Sequence, residues 1–394
     1  MTGVKNMPKL ADMTKCTGCT ACMNVCPKHC IDMEVNRDGF QFPKIDLESC
    51  IGCNSCEKVC PVLEKSECKN EPEAYAAFSL NESLRKESSS GGVFSEIAKY
   101  VIEQQGVVYG AAYGEKFEVC HTCTDTMDGL TRLRGAKYSA SNLNTTFKDV
   151  LERLKKDQLV LFSGTPCQVA GLKKFVKKDY ENLICIDFVC HGIPSPMAWR
   201  KYIEYRSQID NDGQDPVSIN LRSKDTGWSR YQYSNQFKYG DGTEYSSVSS
   251  NNLFMKLFVG DYLSRPSCSE CSFKGCSRVS DFTIGDFWGI WDIHPDMDDN
   301  KGTSVVLVQN QKAFKIWDKI KNNLMFKQVT LEEASRQNPS MLRSSKSNVK
   351  SAEVLELIYN DQIEECSKYF ISQKATFTQR VKRKIKRMLD KKTP

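Results

Sequence analysis

The sequence predicts an α/β protein, α+β overall, built from a small cysteine-rich module and a larger domain with a mainly parallel core and a β-rich insertion. Three observations carry this reading. Residues 1–70 contain two copies of one cysteine spacing and little hydrophobic periodicity. Short apolar runs then alternate with amphipathic segments, the order that builds parallel strands with right-handed crossovers. Further on, a stretch rich in β-forming residues surrounds Asp241-Gly242, a hairpin signal. At 394 residues the chain has room for two or three domains. The expected divisions are 1–70, 71–345 and a helical, basic tail over 346–394.

The module rests on "KCTGCTACMNVCPKHC" and "SCIGCNSCEKVCP". Cys16, Cys19, Cys22 and Cys26, then Cys50, Cys53, Cys56 and Cys60, follow spacings of two, two and three, each run ending in proline. That is the pattern of a two-cluster ferredoxin-like domain, in which the fourth cysteine of each run serves the other cluster. Cys16, Cys19, Cys22 and Cys60 would therefore hold one [4Fe–4S] cluster, and Cys50, Cys53, Cys56 and Cys26 the second. The rival is structural zinc, which draws two pairs of ligands to one tetrahedron rather than a tight triplet plus one. Cys30 and Cys68 fit neither set and read as incidental.

In the larger domain, 106–113, 159–167 and 183–190 read as buried strands, being short, apolar and β-branched. Residues 168–178 and 195–208 read as the helices that follow the last two. Cys167 and Cys190 then end neighbouring strands, at the sheet edge where open α/β folds bind ligands. With Cys268 and Cys271 of "RPSCSECSFKGC" they would complete a third [4Fe–4S] cluster, with Cys276 as a substitute for Cys167. The rival reading makes Cys167 and Cys190 small buried hydrophobes. Cys120 and Cys123 resemble a redox pair but have no partner pair, and read as structural. Two turns, at Gly91-Gly92 and at Gly164-Thr165-Pro166, each lead into a helix whose N-terminus suits an anion; from spacing alone each reads as a plain helix cap before it reads as a phosphate site.

The bulk composition, 40% hydrophobic and 26% charged, is that of a globular protein. No segment approaches 18 uninterrupted apolar residues, and the opening residues lack the apolar core of a secretory signal. Nineteen cysteines without such a signal point to a cytoplasmic chain whose thiols bind metal. The net charge of +6 is concentrated in residues 379–392; without them 47 basic and 48 acidic residues remain, which gives the body no nucleic-acid surface. In that tail Phe377, Val381, Ile385 and Leu389 recur every four residues, so a helix there would suit weak peripheral contact with an anionic membrane, at its inner face.

Seven segments in one order, "SSSGGVFSEIA", "RGAKYSAS", "FSGTPCQVAGLKKF", "DFVCHGIPSP", "RSKDTGWSRY", "RPSCSECSF" and "SDFTIGDFWGIW", resemble the coenzyme F420 hydrogenase/dehydrogenase β-subunit family. The likeness runs from about residue 75 to 310. With the module in front, the layout resembles that of single-chain reduced-F420 oxidases; 7-hydroxymethyl chlorophyll reductase, which takes electrons from ferredoxin, is of the same family. The resemblance implies an α/β flavin-binding domain with FAD close to a [4Fe–4S] cluster, and it favours Cys167, Cys190, Cys268 and Cys271 as ligands. It makes Ser90, Gly91 and Gly92 candidates for the flavin phosphates, and Lys137, Tyr138, Thr165 and Gln168 candidates for its polar groups. His191 and Asp286 are the polar residues to test for catalysis near the flavin, although His191 also suits a hydrogen-bond donor beside a cluster and Asp286 a loop brace. Trp288 and Trp291 read as packing.

The expected function is an iron–sulfur flavoprotein oxidoreductase that moves electrons between a hydride-exchanging small molecule at FAD and [4Fe–4S] clusters, with ferredoxin or another redox protein as partner. F420 is one candidate substrate. Family members in organisms without F420 support the alternative, a ferredoxin-dependent reductase of a small organic substrate. A rival of another class is an electron-relay subunit without a substrate pocket.

Overall fold

The computed structural model describes residues 7–65, 68 and 70–370. The tail positions Phe377, Val381, Ile385 and Leu389 lie outside these residues. Thirteen strands are present among them: β1 (Ile31–Val35), β2 (Gln41–Ile45), β3 (Glu73–Ser79), β4 (Val107–Tyr113), β5 (Val119–Thr124), β6 (Val160–Ser163), β7 (Leu183–Phe188), β8 (Ser218–Ser223), β9 (Ser234–Lys238), β10 (Glu244–Val248), β11 (Phe282–Asp286), β12 (Ser304–Val308) and β13 (Leu324–Val329).

Eight strands form the main sheet in the order β13-β3-β12-β11-β7-β6-β4-β5. Its central four, β11, β7, β6 and β4, are mutually parallel, with Val160 paired to Leu183 and Val107 to Val160. β5 closes one edge antiparallel, and β12, β3 and β13 extend the other antiparallel. Both faces are covered, which is why the strands read as continuous apolar runs. Leu161 and Ile184 pack on one face with Ile97, Val101 and Trp317. Val160, Phe162, Leu183 and Cys185 pack on the other with Phe147, Leu172 and Phe175.

The three expected strands are β4, β6 and β7, but the middle one stops early. Cys167 does not end a strand; it is the second residue of the helix Pro166–Val176. The cause is local. Pro166 presets the first helical φ, and Thr165 and Gln168 form a reciprocal capping box.

The β-rich insertion is the antiparallel sheet β10-β9-β8, with Gly242 at φ 90° in the β9–β10 turn. Its core joins Trp199, Tyr202, Phe237 and Phe254 to Val354, Ile358 and Ile363. The boundary expected at residue 345 therefore falls inside one packed core, because the helix Ser351–Tyr359 buries its apolar face there. Among the described residues no helix is long and apolar enough to cross a membrane.

The cysteine module repeats itself in backbone as well as sequence. Gly18 and Gly52 both have φ 70°, and Thr20 (62°) and Asn54 (55°) are both left-handed ahead of short helices, Ala21–Val25 and Ser55–Lys58. Alternating handedness of this kind curls successive amides around a concavity that suits an anionic group. The module is not a separate globule: Cys19, Ala21 and Val59 lie in the same apolar cluster as β4, β6 and β7.

Candidate functional site

The eight motif cysteines surround two small cavities. Cys16, Cys19, Cys22 and Cys60 line one, with Leu10, Met33 and Pro43. Cys26, Cys50, Cys53 and Cys56 line the other, with Pro27, Ile31 and Ile45, and Cys30 joins them. The partition is the crossed one: Cys60 sits with the first triplet and Cys26 with the second. Burial pushes the Cys19 thiol up to about 12, because a thiolate there would lose its hydration. Among the described residues no three Cys, His, Asp or Glu side chains close on a single ion; four thiols or more surround each small void instead, and four thiols are the donor set of a [4Fe–4S] cluster. These residues fit a cluster in each cavity.

A third thiol set gathers where β6 and β7 end. Burial pushes Cys190 up to about 12 and Cys268 to about 11, and raises Cys167 as well, with the neighbouring thiols of the set adding to each rise. Cys271 is the fourth neighbour. The Ile193 amide donates to Cys268 Sγ at 3.4 Å, and Lys274 grips the Cys190 carbonyl. Cys276 is elsewhere, its sulfur 3.8 Å from Met341 Sδ, so it does not replace Cys167. Cys68 donates to the Arg278 carbonyl at 3.0 Å. Cys120 and Cys123, three residues apart on extended β5, point to opposite faces and form no pair.

Arg265 links the first and third sets. It is 3% exposed; its Nε donates to the Cys16 carbonyl at 2.7 Å and its Nη2 to the Gln41 carbonyl at 2.8 Å. Burial lowers its pKa, while the thiols of Cys16, Cys268 and Cys167 pull the other way. Gly171, in the helix that Cys167 begins, supplies a second link: a Cβ there would lie 2.9 Å from Cys19 Sγ.

Above the third set a cavity of 1280 Å³ opens at the carboxyl edge of the parallel strands. Cys167 and Cys190 are in its wall, as are Ser90, Gly92, Lys137, Tyr138, Thr165, Gln168, His191 and Asp286. Gly91 is behind the wall, where a Cβ would meet the Ala77 carbonyl at 2.3 Å. Its amide donates to Ser304 Oγ at 2.9 Å and the Ser90 hydroxyl donates to the Thr303 carbonyl at 3.0 Å, so neither offers that donor to a ligand.

The two helix N-termini differ. At the helix Val93–Glu103 no side chain caps the start, and the amides of Gly92, Val93 and Phe94 find no acceptor among the described residues. At the helix Pro166–Val176 the Thr165–Gln168 box engages both side chains, with Gln168 Oε1 accepting from the Thr165 amide at 2.9 Å. The first is open to an anion; the second is a capped helix. Lys137 stands in the wall with two backbone carbonyls, of Arg132 (3.0 Å) and Arg134 (2.6 Å), and no carboxylate at ion-pair distance among the described residues. Burial pulls its pKa down to about 7.

Asp286 is held by Arg222 through two bonds of 2.7 and 2.8 Å, and also accepts from Trp228 Nε1 at 3.3 Å. His191 places Nε2 2.8 Å from Asp261 Oδ1 and its ring edge-on to Phe258; burial lowers its pKa, against the pull of Asp261. Sequence reasoning missed Arg222, Arg265 and the contact of Cys30 with the second set. Arg222 also donates to the Tyr138 hydroxyl at 3.3 Å and stands 3.9 Å over the Tyr233 ring. Arg222 opens the segment "RSKDTGWSRY". Trp288 packs on Trp228, ring centroids 4.9 Å apart, as expected of packing, and one side of it also lines the cavity.

The chain matches family models over the same segments. Residues 74–148 match the coenzyme F420 hydrogenase/dehydrogenase β-subunit N-terminal model, and residues 157–334 its C-terminal model. The chain belongs to the coenzyme F420 hydrogenase/dehydrogenase β-subunit family. Ahead of these regions, residues 15–63 match a 4Fe-4S dicluster domain, so this member carries an iron–sulfur module in front of the β-subunit fold and is an electron-transfer oxidoreductase. Among solved structures, a chain of the F420-reducing [NiFe] hydrogenase complex from Methanosarcina barkeri, studied by xenon derivatization, is similar at 14% identity and a TM-score of 0.45; the likeness covers 76% of this chain and 91% of that one. A search of curated proteins gave no match.

Proposed function

We propose that this family member is an iron–sulfur flavin oxidoreductase that exchanges hydride with a small molecule in the 1280 Å³ cavity and single electrons with a redox protein at the N-terminal module. The observation that carries the reading is that Cys167 and Cys190 belong at once to the third thiol set and to the cavity wall. A cluster on that set would touch whatever the cavity holds. A bound flavin supplies what joins the two chemistries, taking hydride as an electron pair and releasing it singly.

In this proposal Cys16, Cys19, Cys22 and Cys60 hold one [4Fe–4S] cluster, Cys26, Cys50, Cys53 and Cys56 the second, and Cys167, Cys190, Cys268 and Cys271 the third. The open amides at Gly92–Phe94 and Lys137, which has no carboxylate at ion-pair distance among the described residues, take the anionic parts of FAD. Arg222 fixes the Tyr138 hydroxyl, and Asp286 holds Arg222 in place rather than moving a proton. His191, whose Nδ1 contacts Ser340 Oγ at 3.3 Å and whose Nε2 lies 2.8 Å from Asp261, would hold a proton at the substrate.

The test is to purify the protein anaerobically and count iron and flavin per chain. About twelve irons and one FAD support the reading. About eight irons and no flavin after reconstitution leave an electron relay instead. Reduced F420 and reduced ferredoxin are then offered separately to the loaded protein. Bleaching of the flavin by the first marks an F420 oxidase; bleaching by the second alone marks a ferredoxin-dependent reductase.

A further inference from the structure

The two cysteine cavities are not equivalent. The first is ringed by four thiols and the second by five, because Cys30 enters the second with Cys26, Cys50, Cys53 and Cys56. Cys30 is 5% exposed, and its sulfur lies 3.4 Å from that of Cys26. The backbone pins it there: the Asp46 amide donates to the Cys30 carbonyl at 2.8 Å, just ahead of β1. The repeat supplies an internal control. Four residues after Cys60, the counterpart of Cys26, stands Glu64, which is exposed. The fifth thiol is a property of the second site alone.

We propose that Cys30 is a reserve ligand of the second cluster, placed to take the coordination position of Cys26. This rests on the reading that the cavity holds an iron–sulfur cluster. Cys26 is the one ligand of that set contributed by the other repeat, so its bond is the one exposed to any shift between the two halves. In the exchange the iron–sulfur bond of Cys26 breaks as that of Cys30 forms, and the Cys30 thiol proton passes to the released Cys26 sulfur. No electron is gained or lost, and like replaces like, so neither arrangement is favoured by donor chemistry. At 3.4 Å the sulfurs are already in contact, so Cys30 starts beside the position it would take over.

The experiment uses full-length protein purified and reconstituted anaerobically as wild type, C26A, C26S, C30A and C26A/C30A. Iron per chain and the electron paramagnetic resonance of the reduced and oxidised protein are read. The expected result is about twelve irons in wild type, C30A and C26A, with the resonance of one cluster altered in C26A and that cluster lost or short of an iron in C26A/C30A. The proposal is overturned if C26A loses the cluster as fully as the double variant, or if neither C26A nor C26S can be recovered while C30A can. Should wild type itself lack the N-terminal iron, the underlying reading fails instead, and the count in wild type separates the two failures.

Discussion

Lys137 is a half-buried cation that donates to two backbone carbonyls and stands 5.9 Å over the Tyr113 ring, and loss of hydration has pulled its pKa down to about 7. An anionic group in the cavity would restore the charge and raise that pKa. Binding then takes up a proton whenever the solution is above about pH 7, so affinity is full below that value and falls as pH rises, by roughly tenfold per unit until the bound-state pKa is reached. Titrating flavin-stripped protein with FAD from about pH 6.5 to 9 should show that slope, and K137M should flatten it; a slope unchanged in K137M would remove Lys137 from the binding site. The empty protein should behave oppositely, gaining stability as pH climbs from about 7 toward the ordinary lysine range, because the unfolded chain holds the proton longer. Asp286 calls for a different measurement. Its bonds to Arg222 are largely buried, and breaking such a pair costs about 3–5 kcal/mol. D286N should therefore lower the thermal unfolding midpoint. A proton-transferring Asp286 would instead lose turnover with the midpoint unchanged.

The helix Pro166–Val176 shows how one element sets two sites. Its first turn carries Cys167 into the third thiol set, and its middle receives Cys19 of the first against Gly171. Exchanging glycine for alanine inside a helix ordinarily gains up to about 1 kcal/mol. Here the new methyl would sit 2.9 Å from both Cβ and Sγ of Cys19, so G171A should instead lower iron content and the unfolding midpoint while the helix signal in circular dichroism persists. Unchanged iron would mean that Cys19 has room to move. The same helix marks what the sequence could and could not disclose. The grouping of the N-terminal thiols was legible because each triplet is a local pattern, and β4, β6 and β7 because burial on both faces leaves unbroken apolar runs. Cys167 was placed at a strand end because the apolar run was read through Gly164-Thr165-Pro166, where capping chemistry had already begun the helix. The antiparallel β12, β3 and β13 join segments more than 200 residues apart and leave no local period. Nor do Arg265 on Cys16 or Arg222 on Asp286, contacts of single side chains across long separations.

Docking of the cysteine module orders the proposed electron path. The hairpin tip between β1 and β2 offers the Asp38 carbonyl to the Ser195 hydroxyl and the Met197 amide, Arg37 pairs with Glu356 at 2.6 Å, and Asn24 reaches the Asn144 carbonyl at 3.0 Å. These contacts, with Cys19 in the core of the large domain, put the first thiol set on the inside. The second set reaches the surface at exposed Cys53, and in the proposed path a redox protein would exchange electrons there. Arg265 spans the inner junction, and its guanidinium lies against the Cys16 end of one set while its backbone leads directly into Cys268 of the other. A positive charge held there favours an added electron on its neighbours, and burial keeps water from screening it. R265Q retains a hydrogen-bond donor of similar reach but not the charge. The expected outcome is unchanged iron, a reduction potential shifted negative for the inner clusters in a titration followed by electron paramagnetic resonance, and slower passage of electrons from the cavity side to an external acceptor. R265K, which restores charge without the paired donors, should recover the potential and only part of the stability. Potentials equal in wild type and R265Q would reduce Arg265 to a strut between two domains, and the order of the path would then rest on the docking contacts of the module and on Cys19 against Gly171.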